Sequence, residues 1–189
     1  MPAPNQAALD FLLTRRSRPA KTLRAEAPSR QDLDTILTAA SRTPDHGKLV
    51  PWRFAVIEGE EARARFSAKA LARAKEQGQD ERAAEKTATA FTYGGAIVAV
   101  IASPKPAKIP RWEQELSAGA ACLACLNAAL ALGWGANWLT GPLARDAGFL
   151  SDLGCTGEEF VAGFIHIGPE TLSPADRDRP DLGAVTTWL

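Results

Sequence analysis

Between Gly95 and Ser103 the chain runs Ala-Ile-Val-Ala-Val-Ile-Ala, residues 96–102, without one polar side chain. A strand with one face in water alternates polar and apolar residues. A continuous run of β-branched residues and alanine reads instead as a strand buried on both faces. The run therefore predicts a central strand whose two faces must be covered by other parts of the chain. At 189 residues and 46% hydrophobic content, the chain is long enough for one such domain and too short for two.

The covers are legible on either side of this run. Asn5–Arg16 carries Ala8, Leu9, Leu12 and Leu13 on one helical stripe. Ser29 with Asp32 resembles a capping box ahead of Leu33, Ile36, Leu37 and Ala40, and Thr43-Pro44 stops that helix. Trp52–Ile57 reads as a strand, and Glu60–Gly78 and Asp80–Thr92 as helices whose charges form solvated faces. Three prolines in Ser103–Pro110 precede a long helix from Arg111 to about Leu132. Gly133 and Gly135 bracket a turn into a short strand near Trp138, a helix follows Pro142, and Phe160–Ile167 is the last buried strand. From Pro169 the chain is too poor in apolar residues to form its own core, so it must lie on another surface, and its end, Gly183–Leu189, reads as a strand. These elements predict a mixed α and β fold: one domain over 1–189, with 169–189 as a C-terminal extension.

Lys plus Arg and Asp plus Glu both number 22, so no global field draws the protein to nucleic acid or an anionic membrane. The longest apolar stretch, Ala118–Gly133, is interrupted by Asn127 and falls short of the roughly 20 residues that cross a bilayer. The N-terminus lacks the pattern of a secretory signal, and three cysteines cannot all pair within one chain; both point to the cytoplasm. Cys122 and Cys125 form a Cys-x-x-Cys pair, but inside an apolar helix and without a second ligand pair. With only His46 and His166 elsewhere, core packing is expected rather than zinc. No Gly-x-Gly-x-x-Gly follows a strand and no Gly-Lys-Ser/Thr is present, which disfavours a Rossmann site and a nucleotide triphosphatase.

Three constellations carry chemistry. Arg15-Arg16-Ser17-Arg18 follows a helix, where guanidinium forks and a hydroxyl can surround a phosphate; taken alone, such a tetrad is more often a solvated basic loop. Pro44-Asp45-His46-Gly47-Lys48-Leu49-Val50-Pro51 is a polar loop pinned by prolines, suited to ligand contacts, although a lone loop histidine is more often a surface residue and Asp45 reads also as a simple turn cap. Small residues around Gly119 precede Gly133–Gly141, whose Thr140-Gly141-Pro142 offers free backbone N–H groups at a helix start; ordinary close packing is the competing reading.

Taken in order, Arg-Arg-Ser near the start, the loop ending Pro51-Trp52, the small-residue helix and Gly-Trp-Gly before Thr140-Gly141 resemble the nitroreductase family over nearly the whole chain. The resemblance extends to a short-chain branch with Pro44-Asp45-His46 in the loop and Pro110–Glu115 before the long helix. It implies an α+β fold with a mostly antiparallel sheet flanked by helices, and FMN held between the two chains of a homodimer. It implies that Arg15, Arg16 and Ser17 contact FMN, that the loop brings His46 and Lys48 to it with Arg42 close behind, and that Trp138, Leu139, Thr140 and Gly141 supply donors to the N5 and O4 edge. Trp112 and His46 would line the substrate cavity, and the C-terminal extension would pack on the partner chain. Lys48 and Val50 stand where many relatives have asparagine and glutamine. Pro19 stands where relatives often carry a cation for the N1/O2 edge, leaving Arg18 or Lys21. In the tail, Arg177 and Arg179 are the basic residues available for phosphate. The implied reaction passes hydride from NAD(P)H through flavin N5 to nitroaromatic, quinone or related small-molecule acceptors, with no catalytic side chain and no metal. The alternatives are a non-catalytic flavin-binding or storage protein and a nucleic-acid binder using Arg15, Arg16, Arg18, Lys21 and Arg24, the latter disfavoured by the zero net charge.

Overall fold

Ala96–Ala102 forms strand β2, in which no residue is more than 1% exposed, so the central strand expected from its composition is central. The structure, a computed structural model, describes residues 3–189; Met1 and Pro2 of the expected domain lie outside the described residues. β2 lies between β1 (Trp52–Glu58) and β4 (Phe160–Gly168), and β3 (Gly135–Leu139) completes the order β1-β2-β4-β3. Every neighbouring pair is antiparallel.

The period of two along β2 divides the core. Val98, Val100 and Ala102 face one layer, and Ile97, Ala99 and Ile101 face the other. The first layer is built by α2 (Arg30–Ala40) and α5 (Arg111–Ala131), with Ala118, Ala121, Cys122, Cys125 and Ala129 of α5 turned to the sheet. Their short side chains let a 21-residue helix lie close to the strands. The second layer is aromatic. Phe66 of α3 (Glu60–Glu76), Phe91 after α4 (Glu81–Thr89), Phe149 of α6 (Ala147–Asp152) and Phe164 of β4 meet at centroid distances of 5.0–6.2 Å. Each large apolar side chain so buried contributes about 1.5–3 kcal/mol, which makes these two layers the main source of stability.

Sequence and structure differ at three places. The segment after Pro142 is a 3₁₀ turn, Pro142–Arg145, before α6 begins, capped by Asp146 accepting from the Phe149 N–H at 2.8 Å. Arg63 of α3 does not belong to a solvated face: it is buried and donates to the Thr92 carbonyl at 2.8 Å. Gly183–Leu189 is not a strand. Asp181 accepts from the Gly183 N–H at 3.0 Å and starts a helical turn, α7 (Leu182–Val185), after which Trp188 is 91% exposed. A local cap wins there because the segment pairs with no sheet edge of its own chain.

After α1 (Gln6–Thr14), the chain crosses the strand ends. A Cβ at Gly95 or Gly168 would collide with the carbonyls of Glu26 and Arg24, so both positions require glycine for close approach. Arg24 donates to the Pro169 carbonyl at 2.9 Å and Thr171 to the Thr22 carbonyl at 3.1 Å. The start of the C-terminal extension is thus held by its own chain, and residues 15–21 are fixed beside β3.

Candidate active site

The basic tetrad lies at the β3 edge. Arg15 ends α1, and the Arg18 N–H donates to the Ala136 carbonyl of β3 at 2.8 Å. Arg16 pairs with Asp176 at 3.5 Å and also donates to the Ala175 carbonyl; Arg18 pairs with Glu170, and Arg179 with Asp176 at 3.3 Å. Among the described residues, Arg15 alone of these four has no carboxylate partner. It donates to the Ser17 hydroxyl at 3.1 Å, while its Nε is buried with no partner at all. Burial first, and then the positive charges of Arg179, Arg16 and Arg18, depress its pKa. A buried, unsatisfied donor among like charges fits an anion, and a phosphate offers both the charge and the acceptors.

Two residues after Ser17, Pro19 enters the wall of a cavity of about 700 Å³. Phe91, Leu143 and Phe164 give it an apolar floor, Leu139-Thr140-Gly141 forms one side, and the exposed Lys21 and Lys86 stand at its mouth. A Cβ at Gly141 would meet nothing, and its φ of +157° suits glycine, so the backbone is open to a close ligand. His166 also lines the cavity and is only 2% exposed. Its Nδ1 lies 3.2 Å from the Tyr93 carbonyl, and burial pushes its pKa down to about 4, so the ring is neutral at pH 7.

The polar loop lies at the other edge, ahead of β1. Its backbone is strained: Lys48 and Val50 have φ values of +55° and +48°, a conformation that β-branched residues rarely adopt. Asp45 holds it there by accepting from the N–H groups of Leu49 at 3.2 Å and Val50 at 2.8 Å. His46 Nδ1 meets Glu113 of α5 at 2.7 Å, beside Trp112, which is 62% exposed. With β2 and β4 between them, the β1 and β3 edges are three strand spacings apart, about 14 Å.

A family model described as the nitroreductase family matches residues 12–169. The chain belongs to the nitroreductase family. It is 39% identical to the Escherichia coli K12 protein named "Putative NAD(P)H nitroreductase YdjA" over 184 residues, covering 96% of this chain and 99% of that protein. A Haemophilus influenzae protein with the same description, without the final symbol, is 34% identical over 85% of this chain and 87% of its own length. Among solved structures, a nitroreductase-like family protein from Bacillus cereus superposes with a TM-score of 0.80 at 22% identity, covering 100% of this chain and 98% of that one. A Desulfovibrio desulfuricans protein solved in complex with FMN gives 0.77 at 23% identity, covering 99% and 98%.

Set against this nitroreductase fold, the sequence-predicted residues fall into two groups. Arg15, Arg16, Ser17, Leu139, Thr140 and Gly141 gather at the β3 edge, whereas Arg42, His46, Lys48 and Trp112 lie toward the β1 side, and one chain does not unite them. Trp138 belongs to the β3 edge by its backbone, but its side chain turns to the α5 layer, packed over Gly163. Of the two cations considered for the flavin edge, Lys21 lines the cavity and Arg18 is engaged by Glu170. Arg179 lies close enough to Arg15 to depress its pKa. Sequence reasoning did not single out Asn137 or Lys86, and it considered His166 only as a metal ligand. The period of two makes Asn137 share a face with Leu139, which was the available signal; Lys86 sits on a charged helix face that gave none. Cys122 and Cys125 are fully buried, with thiols pushed up to about 12 by burial, as core residues. Among the described residues no cluster suits a metal ion, and no helix is long and apolar enough to cross a membrane.

Proposed function

We propose that this chain is an FMN-dependent oxidoreductase that takes hydride from NAD(P)H and delivers it to nitroaromatic, quinone or related electrophilic acceptors, working as a homodimer in the cytoplasm. The observation that carries this reading is the Arg15 Nε, buried without a protein partner at the same sheet edge as a flat-ligand-sized cavity. Bound FMN would supply the hydride chemistry at N5. Arg15 and Ser17, backed by Arg16 and Arg179, would hold the phosphate. The backbone of Leu139, Thr140 and Gly141 would donate to the N5/O4 edge, and Lys21 would offset the negative charge of the reduced ring at N1/O2. The apolar floor keeps water from the ring, and no side chain has to act as nucleophile.

The homodimer is supported by the division of the site. Arg42, His46, Lys48 and Trp112 can serve the flavin at the β3 edge only from a second copy. Leu9, Leu12 and Leu13 of α1 and Leu116 and Leu123 of α5 are 45–71% exposed, as a face awaiting a partner would be. The extension beyond residue 176, exposed throughout, would pack across that partner. Three free thiols accord with a reducing compartment.

The test begins with the spectrum of the purified protein. A yellow protein that releases FMN rather than FAD on denaturation and oxidises NADH or NADPH with a quinone or nitroaromatic acceptor is expected. Protein that cannot be loaded with FMN refutes the reading, and protein that loads but never oxidises NAD(P)H belongs with flavin storage. Deleting residues 180–189 should weaken FMN binding and self-association together in sedimentation velocity runs, because a ligand bound only by the assembled state stabilises it by mass action.

A further inference from the structure

Asn137 of β3 and His166 of β4 are direct cross-strand partners, and both line the cavity. Each commits one N–H to a backbone carbonyl. Asn137 Nδ2 donates to the Arg18 carbonyl, which fixes the amide so that Oδ1 is the free end. The carbonyl of Tyr93 can only accept, so the proton of the neutral His166 ring resides on Nδ1, and Nε2 is left as a bare acceptor. Among the described residues, neither Oδ1 nor Nε2 meets a protein donor. Two acceptors side by side, opening on the cavity with no protein donor, are placed to take a donor from a ligand bound there.

Around them the cavity offers donors: the lysine ammonium groups at the mouth and the backbone N–H groups of Thr140 and Gly141, which follow β3. The pyrimidine edge of an isoalloxazine ring presents the complementary order, O4 as acceptor, N3–H as donor and O2 as acceptor. N3–H is that ring system's one N–H in the oxidised state. We infer that Asn137 and His166 form a paired acceptor for the flavin N3–H, so that they orient the ring in the cavity and select against rings lacking that hydrogen. This inference rests on the FMN reading above. Because burial keeps His166 unprotonated near neutrality, the acceptor is available at working pH.

The test compares FMN with 3-methyl-FMN, in which N3–H is replaced by N–CH₃, by fluorescence titration of the full-length protein freed of flavin. The wild type is expected to bind the methyl analogue at least about tenfold more weakly, the scale of a buried acceptor left unsatisfied. His166→Leu should lower FMN affinity about tenfold and shrink the discrimination to below about threefold, whereas His166→Gln, which retains an acceptor, should preserve it. Steric exclusion of the methyl group alone would leave the discrimination intact in His166→Leu. If that variant does not fold, Asn137→Leu on the edge strand provides the same reading. Equal wild-type affinity for both flavins, or undiminished discrimination in a folded Leu variant, overturns the inference while leaving FMN binding standing. Failure of the wild type to bind FMN overturns both.

Discussion

The β3 and β1 edges of the sheet both hold polar, loop-borne constellations, yet they stand in opposite electrostatic states. At the β3 edge the Arg15 Nε is buried and unsatisfied, the positive charges of Arg179, Arg16 and Arg18 bear on it, and a cavity opens alongside. At the β1 edge the groups satisfy one another: Asp45 accepts from two backbone N–H groups and His46 meets Glu113, although Lys48 and Val50 are held in strained backbone. The first edge has the character of a receptor, deficient in something an anionic ligand supplies. The second has the character of a rigid shape to be presented to another surface. The contrast teaches that binding capacity and local strain need not coincide: the strained loop is internally complete, and the unstrained tetrad is the incomplete one.

The sharpest way to break this contrast is Arg15→Ala. Loss of a charge-assisted hydrogen bond should cost FMN binding roughly 1.5–3 kcal/mol, about 10- to 150-fold in Kd. Stability of the flavin-free protein should hold or rise, because a partly buried charge among like charges, with an unsatisfied Nε, is removed. Flavin titration and urea unfolding of the same variant check both signs. An apoprotein destabilised by Arg15→Ala would mean that the tetrad is structural cement.

Asp45→Ala should do the reverse. Two backbone N–H groups lose their acceptor and the left-handed Lys48 and Val50 lose their tether, so unfolding stability should fall by about 1–2 kcal/mol. Urea midpoints of apo wild type and variant measure it. A variant as stable as wild type would show that Pro51 and the flanking contacts hold the strained loop without the carboxylate.

Much of this contrast was legible in the sequence where the signal is local. The continuous apolar run gave the central strand, because no one-sided strand tolerates it, and the small residues of α5 marked the helix that lies close to the sheet. The basic tetrad was visible as residues but not as a site, since whether guanidinium groups find carboxylates depends on Asp176 and Glu170, more than 150 residues away along the chain. The helical turn at Leu182 was missed because an Asp cap outweighs β-propensity when no strand is available to pair. His166 was missed as a cavity residue for the same kind of reason: its role depends on a cross-strand neighbour and on the Tyr93 carbonyl, neither of which a motif encodes.

The β3 side of the sheet also carries a pH signature, in His166 of the neighbouring β4. The folded pKa of His166, about 4, lies below its unfolded value near 6.5, so between those values the unfolded chain binds more protons than the native one. Its contribution is therefore complete above about pH 6.5 and is lost as pH falls toward 4. The carboxylates act lower: Glu159, hydrogen-bonded by Arg53 and held near 2, stabilises the fold above its ordinary pKa and loses that contribution as pH falls through its native value. The Asp146 carboxyl is likewise held below the usual range by Arg73. Chemical unfolding at stepped pH should show stability declining between about 6.5 and 4 in wild type, with the slope reduced in His166→Gln. An unchanged slope in the variant would assign the window to other groups.

The smallest expected effect tests whether the cavity is isolated from the opposite layer of the sheet. Cys122 and Cys125 lie on α5, fully buried against the face that carries Val98 and Ile165, whereas the cavity belongs to the face that carries Phe164 and His166. Cys122→Ala removes one sulfur atom from a close-packed layer, which should cost about 1 kcal/mol of stability. FMN affinity should change by less than about twofold, because no altered contact reaches the cavity through the intervening backbone. The native thiols give a second readout. Burial that pushes both up to about 12 leaves almost no thiolate at neutral pH, so neither cysteine should react with iodoacetamide before the protein unfolds. Rapid labelling of Cys122 in the folded protein, or a tenfold loss of FMN affinity in Cys122→Ala, would show that the two layers move together and that the β3 edge depends on more than its own residues.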